Sequence, residues 1–120
     1  MKKCIYVVED NAAIRDVIEF MLTEDDYDVV ISPTVHDFWA HMQLRTPDMI
    51  VLDIKLPDGN GLEICRELKS NIKTYTIPVM VMSANNYLSK VKSRCAADEF
   101  INKPFDLNDF AHRIEYHVAS

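Results

Sequence analysis

Met49-Ile50-Val51-Leu52-Asp53-Ile54-Lys55-Leu56-Pro57-Asp58-Gly59-Asn60-Gly61 is the stretch from which the fold is most directly read. Apolar residues run without interruption into a single carboxylate, and a turn of proline, glycine and asparagine follows. A continuous apolar run of this kind fits a strand buried on both faces, which belongs in a parallel sheet covered by helices. Asp53 then closes the strand at its carboxyl end, the edge of an open α/β sheet where ligands bind.

Working outward, the flanking segments repeat the pattern. Upstream, Cys4-Ile5-Tyr6-Val7-Val8 is a β-rich apolar run ending in Glu9-Asp10. A helix follows it, because Ala13, Ile14, Val17, Ile18, Met21 and Leu22 keep helical spacing while Arg15, Asp16 and Glu19 face out. Asp10 or Asn11 can cap its first turn, and the acidic turn Glu24-Asp25-Asp26 stops it. Tyr27 to Ser32 reads as a second strand. About Val35 to Leu44 reads as a second helix, with Val35, Phe38, Trp39 and Met42 inward and Pro47 blocking its continuation.

Downstream, Leu62, Ile64, Cys65 and Leu68 predict a third helix. Ile77 to Ser83 is a strand with Pro78 near its start, where proline is tolerated. Leu88, Val91 and Cys95 mark a short fourth helix over 87–95. Glu99-Phe100-Ile101-Asn102 is a brief last strand. After Lys103-Pro104-Phe105, a final helix carries Leu107, Phe110, Ala111, Ile114 and Val118 as its apolar stripe. Five β-then-α units with short connections make a doubly wound parallel sheet of the α/β class the economical architecture.

Composition narrows the function classes. A chain of 120 residues is read as one domain, 1–120, long enough for a core and too short for a second. No apolar run approaches the roughly 18 residues that span a bilayer. Met1-Lys2-Lys3-Cys4-Ile5 enters a strand without the h-region of a signal peptide, so a cytoplasmic protein with no membrane association is expected. Cys4, Cys65 and Cys95 are widely spaced with no CxxC pair, and read as reduced, buried thiols. A net charge of −6 argues against nonspecific nucleic-acid binding.

In this reading Glu9 and Asp10 close the first strand, Asp53 the third, Ser83 the fourth and Lys103 the fifth. The polarity of loops explains any one of them alone, but not their convergence on one edge. Clustered carboxylates repel and cannot all stay ionised without a cation. Oxygen ligands with no His or Cys favour a hard ion, and Mg²⁺ typically takes carboxylates together with waters and phosphate oxygens. Lys103 adds a fixed positive charge, and Ser83 a hydroxyl that can bond an incoming oxygen. An aspartate so placed is equipped to attack phosphorus and form an aspartyl-phosphate. The only glycines, Gly59 and Gly61, share one turn, so neither a dinucleotide fingerprint nor a Walker loop can be built. Positive-φ turn geometry is the expected role of both.

Four segments together carry a family resemblance: Val8-Glu9-Asp10-Asn11, Leu52 to Gly61, Met82-Ser83-Ala84, and Ala97-Asp98-Glu99-Phe100-Ile101-Asn102-Lys103-Pro104-Phe105. In this order and spacing the chain resembles a response-regulator receiver domain of two-component signalling over essentially its whole length. The resemblance implies a flavodoxin-like (βα)5 fold with strand order 2-1-3-4-5. It implies that Asp53 accepts a phosphoryl group from a phosphohistidine on a sensor histidine kinase or phosphotransfer protein. Asp10 and Asp53 would bind Mg²⁺ directly, with Glu9 acting largely through water and the Lys55 backbone carbonyl as a further ligand. Ser83 and Lys103 would contact the phosphoryl oxygens. Movement of Ser83 with rotation of the aromatic Phe100 would remodel the face of the last helices and strand. A downstream output partner or an attached effector domain would read that face, and a phosphorylation-dependent homodimer is compatible with it.

This reading describes a phospho-acceptor switch that catalyses its own phosphorylation and slow dephosphorylation, not an enzyme acting on an outside metabolite. The sequence departs from the family pattern in places. Glu9 stands where many members carry Asp, Ala96 where Gly often precedes Ala-Asp, and Phe100 lacks the hydroxyl of the Tyr variant. Asn85 and Asn86 flank the site. A Mg²⁺-dependent hydrolase with an Asp nucleophile is the competing class, but the haloacid-dehalogenase-like enzymes carry a second Asp where Lys55 stands. A degenerate receiver would lack an acid or the lysine, and none is missing. His36, His41, His112 and His117 form no i,i+4 metal pair and read as solvated. Lys90, Lys92 and Arg94 read as a solvated helix face, with docking of an acidic partner as the minority reading.

Overall fold

A computed structural model describes residues 2–84 and 94–119. The elements in chain order are β1 (Cys4–Val8), α1 (Ala12–Glu24), β2 (Asp28–Ser32), α2 (Val35–Met42) and β3 (Met49–Asp53). The two-residue strands β4 (Lys55–Leu56) and β5 (Gly59–Asn60) follow, then α3 (Gly61–Ser70), β6 (Val79–Ala84), β7 (Glu99–Lys103) and α4 (Leu107–Val118). Most of the helix expected over 87–95 lies outside the described residues, as do Asn85, Asn86, Lys90 and Lys92.

The main sheet has five strands in the order β2-β1-β3-β6-β7, each pair parallel. Counting only its own strands along the chain, this is the expected order 2-1-3-4-5. The stretch after Asp53 is not a plain turn, because β4 and β5 pair antiparallel into a small hairpin.

Strand period 2 splits the core into two layers. Tyr6, Val8, Ile50, Leu52, Val79 and Val81 point to one side, where Phe38 of α2 and Leu62, Cys65 and Leu68 of α3 cover them. Ile5, Val7, Met49, Val51, Met80 and Met82 point to the other, under Ile18 and Leu22 of α1 and Phe110, Ile114 and Val118 of α4. With helices on both faces of the sheet, every residue of the central strands β1 and β3 is buried. This is why both strands read as unbroken apolar runs rather than alternating ones.

Element boundaries have local causes. Asn11, Thr34, Asn60 and Asp106 are the N-caps of the four described helices, each accepting a first-turn N–H through its side chain. Helix α2 ends at Met42 rather than Leu44 because Gln43 and Leu44 donate to the carbonyls three residues back, tightening the last turn. Strand β7 runs one residue further than expected, to Lys103, which pairs with Ala84. Asp26, just past α1, takes a left-handed conformation (φ 69°), which Asp tolerates better than most residues.

Two expectations need correction. Neither glycine adopts positive φ. Gly61 is required instead by proximity, since a Cβ there would lie 2.0 Å from the Asp53 carbonyl oxygen. A Cβ on Gly59 would meet the Val35 side chain, nearest at its Cγ2 methyl, 2.9 Å away. Among the histidines, His36 and His112 are exposed, but His41 and His117 are half-buried. The His41 Nδ1 bonds Ser32 Oγ at 2.8 Å, and His117 Nε2 bonds Glu99 Oε2 at 3.1 Å. Both lie on helix faces that turn toward the outer strands of the sheet.

Candidate functional site

Parallel register brings the strand ends to one edge. Val8 aligns with Leu52, Asp53 with Met82, Ser83 with Asn102 and Ala84 with Lys103. Glu9 and Asp10 therefore leave β1 beside the Asp53 end of β3, and Lys103 ends β7 across from them. All five polar residues expected at this edge are placed there.

Lys103 is the hub. Its Nζ lies 2.5 Å from Glu9 Oε1 and 3.3 Å from Asp53 Oδ2. The second Glu9 oxygen accepts the Asn11 N–H at 3.1 Å, and Asp53 Oδ1 accepts the Ile54 N–H at 2.9 Å. Each carboxylate is thereby oriented by one backbone donor and one shared ammonium. The Glu9 side chain is only 1% exposed and that of Asp53 12%. Asp10 is exposed, yet one oxygen each of Glu9, Asp10 and Asp53 lies within 4.8 Å of the others.

Charge does not balance here. If ionised, the three carboxylates of this cluster face, among the described residues, the Lys103 ammonium across a few ångströms of partly desolvated space, where repulsion is costly. Burial pushes the Glu9 carboxyl up from its ordinary value, against the pull of the Lys103 and Asn11 hydrogen bonds. A hard divalent cation would relieve that imbalance. The donor set fits one: carboxylate oxygens only, no sulfur or imidazole, and an exposed Asp10 that leaves room for water in the coordination sphere.

A cleft of about 190 Å³ opens beside Asp53 and is lined also by Ile54, Lys55, Ser83, Ala84 and Lys103. Ser83 is buried at its wall and its hydroxyl donates to the Ala84 carbonyl at 3.1 Å. Lys55 begins β4 on the cleft's outer side. Phe100 is not among the lining residues; it sits in β7, paired in register with Val81, and packs against the core layer under α2 and α3.

Three supporting contacts went unread in the sequence. Arg15, expected to face out, turns back so that its Nη1 donates to the Asp10 carbonyl at 2.9 Å and the Glu9 carbonyl at 3.4 Å. It satisfies two backbone acceptors of the acidic loop and fixes that backbone. Asp58 accepts the N–H groups of Val35 and His36 at 2.8 and 3.0 Å, which hold its carboxyl below the usual range. It pins the β4–β5 hairpin to the start of α2. Gly61 allows α3 to begin against the Asp53 carbonyl, with its own N–H donating to Ile54 at 2.8 Å. An arginine five residues beyond Asp10 was the only sequence signal for the first of these.

The family model described as response regulator receiver domain matches residues 5–115. The signal receiver domain of a signal transduction histidine kinase from Syntrophus aciditrophicus is 25% identical, with a TM-score of 0.90, covering 98% of this chain and 90% of that one. The receiver domain of a sensor histidine kinase from Pseudomonas aeruginosa is 24% identical, with a TM-score of 0.87 and full coverage of both chains. That structure has a magnesium ion coordinated in its active-site cleft. NtrX from Brucella abortus is 25% identical with a TM-score of 0.88, over 99% of this chain and 27% of that one. No helix among the described residues is long and apolar enough to cross a membrane.

Proposed function

The chain belongs to the response regulator receiver domain family, and on that premise we propose that Asp53 is its phosphoacceptor, taking a phosphoryl group from a phosphohistidine donor. Receiver domains are signalling switches of two-component systems, and the family implies a histidine kinase as partner. The donor here is a sensor histidine kinase or a phosphotransfer protein. The observation that carries the reading is the Asp53 carboxylate itself. It opens on the cleft, its Oδ1 is held by the Ile54 N–H at 2.9 Å, and Lys103 stands 3.3 Å from its Oδ2.

The chain's own groups divide the work. Asp53 attacks phosphorus through a carboxylate oxygen as the phosphorus–nitrogen bond to the donor imidazole breaks and the imidazole leaves, while the Ile54 N–H keeps the carboxyl plane oriented. Lys103 supplies fixed positive charge to the phosphoryl oxygens as negative charge builds on them. Ser83 is the hydroxyl able to leave the Ala84 carbonyl and bond a phosphoryl oxygen. Asp10, Asp53 and the Lys55 carbonyl would hold Mg²⁺, with Glu9 acting largely through water. When bound, that ion neutralises carboxylate repulsion and polarises the transferring group. Ser83 then couples to Phe100, whose rotation alters the face of β7 and α4 for an output partner, an attached effector domain or a second copy of the chain.

Intact mass after incubation with acetyl phosphate, with and without Mg²⁺, tests the assignment on wild type and Asp53→Asn. The expected result is a Mg²⁺-dependent gain of one phosphoryl group, labile to hydroxylamine and absent in the variant. Full labelling of Asp53→Asn would refute it.

A further inference from the structure

Away from the acidic edge, α3 is fastened to the stretch 94–98 that leads into β7. The Arg66 Nε donates to the Arg94 carbonyl at 2.7 Å. One turn further along α3, the Lys69 Nζ meets Asp98 Oδ2 at 2.7 Å. Asp98 is in turn anchored to the sheet, its N–H bonding the Val79 carbonyl at 2.8 Å and its Oδ2 accepting the Val79 N–H at 2.8 Å. These contacts set a register in which residues 65, 66 and 69 of α3 face 94, 95 and 98. Cys65 and Cys95 meet within it. Cys65 is fully buried, while Cys95 is half-buried and packs against the same core layer.

From this juxtaposition we infer that Cys65 and Cys95 are an oxidisable thiol pair, which a peroxide-class oxidant converts to an intrachain disulfide. The division of labour follows from their surroundings. Cys95 is the less buried of the two, and the Cys65 S–H, the Ala97 N–H and the Arg66 guanidinium stabilise its thiolate, holding its pKa down to about 7. The Cys65 thiol is pushed up by the same hydrogen bond and by burial. Cys95 is thus the attacking sulfur and Cys65 the resolving one.

In the first step the Cys95 thiolate attacks a peroxide oxygen; the O–O bond breaks, and sulfenic acid and hydroxide result. In the second, Cys65 sulfur attacks the sulfenic sulfur, the S–O bond breaks, and water leaves with the Cys65 proton. The thiols together lose two electrons and two hydrogens, and hydrogen peroxide is reduced to water. Cys4 is the internal control, because it is buried in β1 and burial pushes its thiol up.

The bond would add a covalent link to the contacts already joining α3 to the approach of β7. On the reading of Phe100 in β7 as part of the switch, oxidation would restrain that switch. The disulfide itself is independent of that reading and is tested without phosphorylation.

The experiment treats the whole chain with hydrogen peroxide at neutral pH, blocks remaining thiols by alkylation, and maps peptides. The expected product is a Cys65–Cys95 linked peptide, two hydrogens lighter than its parts and restored by dithiothreitol, with Cys4 still free. Before oxidation, Cys95 should alkylate on the order of tenfold faster than Cys4. In Cys65→Ala, which adds no buried hydroxyl, Cys95 should accumulate as a sulfenic acid trapped by dimedone. Equal alkylation of Cys95 and Cys4 would overturn the inference. So would oxidation that links separate chains, or that carries Cys95 of the wild type to sulfinic acid without a bond to Cys65.

Discussion

Two lysines bridge distant segments of this chain to carboxylates, and their surroundings give them opposite characters. Lys69 donates to the Tyr75 carbonyl at 3.1 Å, the Ile77 carbonyl at 2.8 Å and Asp98 Oδ2 at 2.7 Å. An ammonium has three protons, and here each has an acceptor. One negative charge answers one positive charge, and the arrangement is closed. Lys103 is similarly enclosed but stands between Glu9 and Asp53, with Asp10 within reach of both. There the carboxylates outnumber the cation. A closed pair holds structure together, whereas an unbalanced one is ready to take a ligand.

The two regions should differ most at their acids. Asp53→Asn should abolish acyl-phosphate formation, while Asp98→Asn should label as wild type does. Equal labelling of Asp53→Asn and wild type would remove the distinction between the two regions. Gly61→Ala comes next, because its Cβ would fall 2.0 Å from the Asp53 carbonyl oxygen and the backbone beneath the acceptor must shift. Labelling by acetyl phosphate should slow by roughly a hundredfold, the scale of loss that an ångström of misplacement produces. A rate within twofold of wild type would show that α3 does not set the acceptor's position.

Asp98→Ala should act on the other side of the comparison, lowering unfolding stability by about 2 kcal/mol through lost charge-assisted hydrogen bonds. Urea denaturation measures it, and labelling per folded molecule should not change. The smallest effect concerns pH. Burial raises the folded-state pKa of Glu9 above its unfolded value, so the stability it contributes is fully present below the unfolded carboxylate pKa. That contribution is lost as pH rises through the folded value. Glu9→Gln removes this loss, and its melting temperature at neutral pH should exceed that of wild type. A Glu9→Gln protein that melts lower at pH 7 than at pH 4 by the same margin as wild type would contradict this.

What was legible in the sequence follows from what each signal encodes. Strands β1 and β3 read correctly because burial on both faces writes a continuous apolar run into the chain. Glu9, Asp10, Asp53, Ser83 and Lys103 read correctly as neighbours because parallel register aligns strand ends whatever the distance in sequence. Arg15 was misread because a helical wheel gives the direction in which a side chain leaves the helix, not how far a guanidinium can fold back. Gly61 was misread because its reason is a contact with Asp53 rather than its own φ. The clamp between Lys69 and Asp98, and the meeting of Cys65 with Cys95, depend on how α3 docks against the approach to β7. No local pattern carries that information.

The most direct test of the contrast between the two regions is to locate the phosphoryl group. Borohydride reduces an aspartyl-phosphate to homoserine, and peptide sequencing by mass then reads its position in the acetyl-phosphate-treated protein. Homoserine at position 53, with Asp10 and Asp98 unchanged, is the expected result. Homoserine at any other carboxylate, with Asp53 intact, would contradict it.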